Sequence, residues 1–495
     1  MEEIGQGRGV LVAAALLCGG AALAVVALAC VWAWPFAIDD AFIGVRYARH
    51  LAAGVGYVWN VGAQPTDGVT PLPWAPLIAP LAHPEPIVVL RRVKLAGAIV
   101  WTLTAAAWGA AVGRAKAPPW AKACVIALLA VDVPVAAHAV SGMETALATA
   151  LATLAALLHR RPRAAATLAG LAATLRPELV VWSVVVAVGF ERVRAFAPSA
   201  RGDEGRPSGH GLATARSAVI AGSVAALPFV ACAVLRVVVF GRPAPLAVLA
   251  KPSDLAHGFV YAGAAAIFSL APLLAVSPVA LARERGPALV LVLAALGHFA
   301  VVCAVGGDWM PYARLVVPVV PSLLLAFVLA APHAVPWVHA ARAALAFAVA
   351  AWLVPGSIRA LRQAGEDRSV MIEQARPLLA SAERVAAVDI GWLSAVSEGT
   401  VIDLAGVTDP DVAVLGGGHT SKRISPAFLS ARGADTAVFF ADPLPATLDA
   451  VSPAAFPRVV ERRLADADAF AGRFAPAALL PLGRRGAGYV IFRRR

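Results

Sequence analysis

Long apolar runs alternate with short polar segments along residues 1–359, and the texture of the chain changes beyond that point. The first run, Val10 to Pro35, is long enough to cross a hydrocarbon core of about 30 Å. The polar segments between the runs carry lysine and arginine in small clusters, as the orientation signals of membrane proteins do. The pattern therefore predicts a multi-pass α-helical membrane domain over residues 1–359.

Four basic clusters set the predicted orientation, because cytoplasmic loops of membrane proteins carry an excess of lysine and arginine. The clusters are Arg114 with Lys116 and Lys122, Arg160 with Arg161 and Arg163, the stretch from Glu191 to Arg216, and Arg283 with Arg285. Placing them inside predicts about eleven transmembrane helices, with the N-terminus in the cytoplasm and the tail outside. Residues 35–86 then form the first outer loop.

Beyond residue 360 the runs become short and β-like, and turns rich in Gly, Pro and Asp separate them. The candidate strands are Val385 to Asp389, Val401 to Asp403, Ala437 to Phe440 and Tyr489 to Phe492. Helical stretches lie between them. This part, residues 360–495, is predicted to be a soluble α/β domain outside the membrane.

Composition supports a protein of the membrane. Hydrophobic residues make up 60% of the 495 and charged residues only 15%, whereas soluble proteins are about 45–50% apolar. The formal net charge of +12 comes from dispersed clusters, so no nucleic-acid partner is expected. All five cysteines lie in apolar runs, so no disulfides are expected.

Two adjacent carboxylates, Asp39 and Asp40, follow directly on the first apolar run. One reading is a helix N-cap with a solvated neighbour, since Asp is a favoured cap. The other is a pair of acids at a membrane surface, in which one acts as a general base. The sequence does not rank the two, although Asp39 lies nearer to the membrane end and is slightly preferred.

Further ionisable residues fall at the same predicted outer face, and each also has a purely structural explanation. Glu144 favours a helix N-terminus, Glu178 can pair with Arg176, and Asp308 suits a Gly-Gly turn. Arg91 and Arg92 can reflect a misplaced span boundary, and Lys251 can be an interfacial anchor. Because ionisable groups at membrane ends are costly unless paired or used, their convergence predicts a catalytic cavity. Its candidate residues are Asp39, Asp40, Arg46, Arg91, Arg92, Glu144, Arg176, Glu178, Lys251, Asp308 and Arg314.

This combination suits transfer of a sugar from a polyprenyl phosphate to a hydroxyl group. A carboxylate deprotonates the acceptor, and the cations stabilise the departing phosphate. Tryptophans near the predicted interfaces, among them Trp309, fit an aromatic belt better than sugar stacking. The stretch Gly416-Gly-Gly-His-Thr-Ser-Lys422 lacks the spacing of a phosphate loop.

Several motifs resemble, in order along nearly the whole chain, the GT-C membrane glycosyltransferases in the branch of the mycobacterial terminal arabinofuranosyltransferase. The motifs are Asp39-Asp-Ala-Phe-Ile-Gly-Val-Arg-Tyr-Ala-Arg-His-Leu-Ala-Ala-Gly54, Gly56-Tyr-Val-Trp-Asn60, Ser141-Gly-Met-Glu-Thr-Ala146, Leu175-Arg-Pro-Glu178, Gly306-Gly-Asp-Trp-Met-Pro311 and Asp403-Leu-Ala-Gly-Val-Thr-Asp-Pro410. The chain departs from that branch at Asp67-Gly-Val-Thr-Pro71, where the branch usually has Glu-Gly-Tyr-Thr-Asn.

The resemblance implies a GT-C fold and an inverting transfer from a polyprenyl-phosphate sugar, with an aspartate of the first outer loop as base. The sugar would be arabinofuranose-like and the acceptor a glycan or glycolipid of the cell envelope. The enzyme would lie among the lipids of a bacterial cytoplasmic membrane. A divalent cation is compatible with the resemblance, but no spacing of ligands indicates a metal site.

A transporter or flippase of lipid-linked saccharides is the alternative, since it would also have many spans and outer cations. Transporters tend to place ionisable groups at the bilayer midplane and often contain inverted repeats. In this chain the charges gather at one predicted surface and no repeat is visible. The pattern therefore favours the enzyme.

Overall fold

A computed structural model describes residues 2–196, 210–251, 253–269, 278–483 and 486–495. The first part of the chain is a bundle of α-helices and the last part a small α/β unit. The predicted cytoplasmic loop from Glu191 to Arg216 lies partly outside the described residues. The helices of the first part are α1 (Glu2–Ala33), α2 (Ala41–Ala52), α3 (Trp74–Ile78), α4 (Pro86–Arg114), α5 (Pro119–Val131), α6 (Val133–Ala139), α7 (Thr145–Leu157), α8 (Pro162–Leu175), α9 (Val180–Phe196), α10 (His210–Phe240), α11 (Leu246–Ala250), α12 (Leu255–Phe268), α13 (Pro278–Glu284), α14 (Pro287–Ala304), α15 (Val320–Ala330) and α16 (Pro336–Leu379).

Among the described residues, five helices are long and apolar enough to cross a membrane. The bent pair α5 and α6, which turns by 57°, would make a sixth. These spans are Gly9–Ala33, Pro86–Arg114, Ala213–Phe240, Pro287–Ala304 and Pro336–Leu379. The chain is thus a helical membrane protein, and the count of eleven crossings stays a prediction.

Small residues bring the first two long helices, α1 and α4, into close contact. Gly109 and Gly113 of α4 face the backbone of α1, and a methyl group on Gly109 would overlap the carbonyl oxygen of Cys18. Lipid tails are as apolar as leucine, so membrane helices gain by close packing of this kind rather than by hiding apolar surface from water. The α1–α4 pair therefore depends on the missing side chains.

The C-terminal part contains a mixed five-stranded sheet in the order β2-β1-β3-β5-β4. Strand β1 runs parallel to β2 and β3, whereas β5 runs antiparallel to β3 and β4. The four predicted strands correspond to β1, β2, β3 and β5. The elements are β1 (Arg384–Ala387), α17 (Ile390–Leu393), β2 (Thr400–Asp403), α18 (Pro410–Ala413), α19 (Pro426–Ala431), β3 (Thr436–Ala441), α20 (Val459–Ala465), α21 (Asp468–Ala471), β4 (Phe474–Pro481) and β5 (Gly488–Arg494).

The two faces of the sheet pack into two different hydrophobic cores, because alternate residues along each strand belong to different cores. Val438 and Ile491 belong to the core that is continuous with the membrane domain. Phe439 and Phe492 belong to a second core beneath the short helices of the C-terminal part. Because side chains of a strand point alternately to opposite faces, one face of the sheet rests on the membrane domain.

Helix α16 joins the two parts without a break. It runs for 44 residues, so the predicted boundary at residues 359 and 360 falls inside it. Four residues, 380–383, separate its end from β1. Residues 35–86, the predicted first outer loop, add polar contacts to this junction. The Trp59 indole N–H donates to the carbonyl oxygen of Val401 at 3.0 Å, and the Asn60 side chain bonds both the N–H and the carbonyl of Val401 at 3.0 and 3.1 Å.

The packing of α1 on α4 predicts the effect of a single added methyl group. Gly109→Ala should lower the free energy of unfolding by about 1–3 kcal/mol, because the backbone of α1 must move away. Gly20→Ala is the matched control, since a methyl group there meets nothing within 4 Å. It should leave stability unchanged or raise it by up to about 1 kcal/mol through helix propensity. Thermal unfolding of the purified variants measures both, and equal stability of the two variants would contradict the packing argument.

Candidate active site

Asp39 and Asp40 diverge at the start of α2. The Asp39 carboxylate accepts hydrogen bonds from the backbone N–H groups of Gly391 and Trp392, each at 3.0 Å, and pairs with Arg368 at 2.7 Å. Asp40 occupies the N-cap position, yet its side chain makes no capping hydrogen bond. It lines a cavity instead. Asp39 therefore holds the C-terminal domain, and Asp40 faces open space.

The cavity has a volume of about 540 Å³ and lies where the ends of several helices meet. Part of its wall is apolar and comes from α10, α11 and α14, with Phe229, Val248 and Val301 as examples. Eight ionisable side chains line the rest, four acidic and four basic. They are Asp40, Glu144, Glu178 and Asp308, and Arg176, Arg236, Lys251 and Arg314.

Arg176 organises one side of the cavity. It follows the last residue of α8 and precedes Pro177, which breaks the helical hydrogen bonding before α9. Its guanidinium pairs with Glu144 at 2.8 Å and with Glu178 at 2.7 Å, and both Arg176 and Glu144 are almost completely buried. The ion pair foreseen between Arg176 and Glu178 is therefore present, and it extends to a second carboxylate at the start of α7.

Asp308 and Arg314 form the second pair, at 2.7 Å across the turn between α14 and α15. The Asp308 carboxylate also accepts the N–H of Met310 at 3.3 Å. Burial alone would raise the pKa of Asp308, but the neighbouring cations, Arg314 first among them, hold that pKa below its ordinary value. Asp308 thus stays ionised and paired, which makes it a poor acceptor for a proton.

Asp40 and Lys251 differ from these residues. Among the residues that the structure describes, neither the Asp40 carboxylate nor the Lys251 ammonium has a hydrogen-bond or ion-pair partner, and both are half-buried. Lys251 follows α11, and its positive charge helps to lower the pKa of Asp308. The cavity therefore offers one free carboxylate and one free ammonium group.

Sequence reasoning missed two residues that shape the cavity. Arg236 of α10 pairs with Asp67 of the first outer loop at 2.6 Å and also donates to the carbonyl oxygen of Thr70. This pair fixes the stretch Gly68 to Pro71 as part of the wall. The signal was Arg236 itself, the one charged residue in the apolar run of residues 217–240, since such a residue needs a buried partner. Asp67 lies in the segment that departs from the glycosyltransferase branch.

Four predicted site residues do not line the cavity: Asp39, which is described above, and Arg46, Arg91 and Arg92. Arg46 donates to the carbonyl oxygens of Trp59 and Gly399, each at 2.8 Å, so it ties the first outer loop to the C-terminal domain. Arg91 and Arg92 are exposed near the start of α4. Arg92 donates to two carbonyl groups at the end of the preceding 3-10 turn. Arg92 therefore helps to hold the end of that turn.

Comparison with known proteins adds no family to this geometry. Within the described ranges, no three His, Cys, Asp or Glu side chains are grouped as they would be around a metal ion. No protein-family model, no curated protein and no solved structure matches the chain. Its function is therefore inferred from the cavity and from the sequence motifs that line it.

Proposed function

We propose that this chain is an integral membrane glycosyltransferase of the GT-C type. It would transfer a sugar, arabinofuranose-like by the sequence resemblance, from a polyprenyl-phosphate donor to a glycan or glycolipid of the cell envelope. The observation that carries the proposal is the coexistence of the free Asp40 carboxylate and the free Lys251 ammonium in one cavity. A transfer of this kind needs both a base and a cation for the leaving phosphate.

In the proposed reaction, Asp40 accepts the proton of the acceptor hydroxyl group. The acceptor oxygen attacks the anomeric carbon, and the bond between that carbon and the phosphate oxygen breaks on the opposite face, so the configuration inverts. The electron pair leaves with the polyprenyl phosphate. Lys251 stabilises the negative charge that develops there, as a point charge on a flexible stem suits phosphate oxygens.

In this proposal the paired arginines also stabilise the negative charge of the transition state. Arg176 and Arg314 remain tied to their carboxylates, so they are held in place before the donor arrives. Preorganised charges stabilise a transition state without reorganisation at the moment of reaction. The apolar wall with Phe229 and Val248 suits the first isoprene units of the donor.

The topology proposed for this enzyme has eleven crossings. Counting α1, α4, the α5–α6 pair, α7, α8, α9, α10, α12, α14, α15 and α16 once each supports this number. The basic clusters then lie on the cytoplasmic side, and the cavity and the C-terminal domain lie outside a bacterial cytoplasmic membrane. Several of these helices are shorter than a full span. Non-helical segments that line the cavity would then cross the remaining depth of the membrane.

The role of Asp40 is tested by its closest uncharged analogue. Asp40→Asn should reduce kcat by at least about 100-fold, because the amide cannot accept the proton. Thermal stability should change little, since no described group is hydrogen-bonded or ion-paired to this carboxylate. The measurement is transfer from polyprenyl-phospho-arabinofuranose in membrane preparations.

Asp39→Asn is the matched control for the same assay. It removes the ion pair with Arg368, so the melting temperature should fall. Transfer by the folded fraction should fall much less than in Asp40→Asn, because an amide oxygen can still accept a backbone N–H group of Gly391 or Trp392. Full transfer by Asp40→Asn together with no transfer by well-folded Asp39→Asn would reverse the assignment. A flippase would instead move the labelled donor across the bilayer of proteoliposomes without any transfer of sugar.

Lys251 gives an independent prediction about the donor. Lys251→Ala should lower kcat/KM for the polyprenyl-phosphate donor by about tenfold or more, because a hydrogen bond to a charged group is lost. Lys251→Arg keeps the charge and should retain most of the activity. If the two variants behave alike, Lys251 does not contact the phosphate.

The orientation can be measured on intact cells. A cysteine in place of Val414, which is 66% exposed in the C-terminal domain, should react with an impermeant thiol reagent on spheroplasts. A cysteine in place of Lys116, in a predicted cytoplasmic loop, should react only after lysis. The unsubstituted protein gives the background of the five native cysteines, and the reverse pattern of labelling would place the cavity on the cytoplasmic side.

A further inference from the structure

Trp309 presents a large aromatic surface next to the cavity. Its side chain is 67% exposed, although the residue before it, Asp308, is buried in the cavity wall. Exposure of an indole ring to water is unfavourable compared with covering it by lipid or by a ligand. The question is which of these two covers the indole.

The Trp309 ring is held firmly from one side. His257 stacks on it with a centroid distance of 4.4 Å and an interplanar angle of 14°. The His257 ring is itself fixed, because its Nδ1 atom is hydrogen-bonded to the carbonyl oxygen of Gly306 at 2.7 Å. Asp254 caps α12 by accepting the N–H of His257 at 3.0 Å. The indole is therefore positioned before any ligand arrives.

The C-terminal domain supplies the second neighbour. The His419 ring lies 5.8 Å from that of Trp309, at an angle of 56°. His419 belongs to the stretch Gly416 to Lys422, whose shape is set by Lys422. The Lys422 ammonium is buried and donates to the carbonyl oxygens of Ala413 and Leu415 at 2.8 and 2.9 Å. This stretch is thus a turn held by hydrogen bonds, and it places an imidazole beside Trp309.

These contacts argue against a lipid anchor. A tryptophan of an aromatic belt sits among lipid headgroups, whereas Trp309 touches a residue of the soluble domain. Burial and the positive charge of Lys251 lower the pKa of His419 to about 4. Its imidazole is therefore neutral at neutral pH, and its ring nitrogens can donate to or accept from a hydroxyl group.

We propose that Trp309, flanked by His257 and His419, is the subsite that binds a sugar ring of the acceptor beside the cavity. The inference rests on the proposed transferase function and adds to it where the acceptor lies. The apolar face of a sugar ring packs on the exposed indole, and its hydroxyl groups bond the imidazoles. The next hydroxyl group along the acceptor then enters the cavity toward Asp40.

The test measures binding of the acceptor in the absence of donor. The probes are a linear arabinofuranose hexasaccharide and cellohexaose, titrated calorimetrically into the full chain in lipid nanodiscs, which avoids the sugar headgroups of maltoside detergents. Trp309→Ala should weaken binding of the arabinose probe by about tenfold. Trp309→Tyr keeps an aromatic face and should lose much less.

Trp337→Ala and Trp352→Ala are the matched controls. Both tryptophans are exposed, at 73% and 78%, and lie on α16, and among the described residues neither has a ring contact with His257 or His419. Neither substitution should change the affinity for the hexasaccharide. Four results would each overturn the subsite. Unchanged binding by Trp309→Ala, or equal losses in the controls, would do so. Tighter binding of cellohexaose that does not depend on Trp309, or no binding of either probe at millimolar concentration, would also do so.

The kinetic readout separates this inference from the function on which it rests. In the transfer assay, Trp309→Ala should raise KM for the acceptor about tenfold and leave KM for the donor and kcat nearly unchanged. Transfer with an unaltered acceptor KM would remove the subsite and leave the transferase. Binding that depends on Trp309 in a chain without transferase activity would keep the glycan subsite and remove the proposed reaction.

Discussion

The Asp39 carboxylate, bound by two backbone N–H groups and one guanidinium of distant segments, is the contact on which the geometry of the site depends. A carboxylate that accepts several hydrogen bonds is held in one orientation. A methyl group on Gly391 would overlap the Asp39 backbone, so the two chain segments meet with no room to spare. With Asp39 held on the C-terminal domain, the next residue, Asp40, is directed into the cavity.

Charge balance explains what the cavity leaves available. A buried charge without a partner is strongly destabilising, often by about 3–5 kcal/mol when one partner of a pair is removed. Arg176 and Arg314 satisfy this requirement through Glu144, Glu178 and Asp308. Their pairing makes the wall stable without consuming Asp40 or Lys251, which are only half-buried and reachable by solvent. The residues that stabilise the cavity wall therefore differ from the two residues that are proposed to take part in the reaction.

The apolar runs and strand-like segments predicted the architecture because helix and strand periods are local properties. Strand β4 was missed, since Phe474 to Pro481 is rich in Ala and Pro and has no alternation. The role of each acid was not predictable, because it depends on contacts far apart in sequence. Asp39 meets Gly391 across 352 positions, and Arg46 meets Gly399 in the same way. A list of charged residues contains no information on which of them face one another.

Helix α16 extends by about 66 Å at 1.5 Å per residue, from the membrane domain to the edge of the sheet. Only residues 380–383 separate its C-terminal end from β1, so the connection between the helix and the sheet is short. A change in its tilt, such as a thicker or thinner bilayer imposes, would be transmitted to the sheet and to the His419 turn. The distance between His419 and Trp309 would then change with the thickness of the surrounding bilayer.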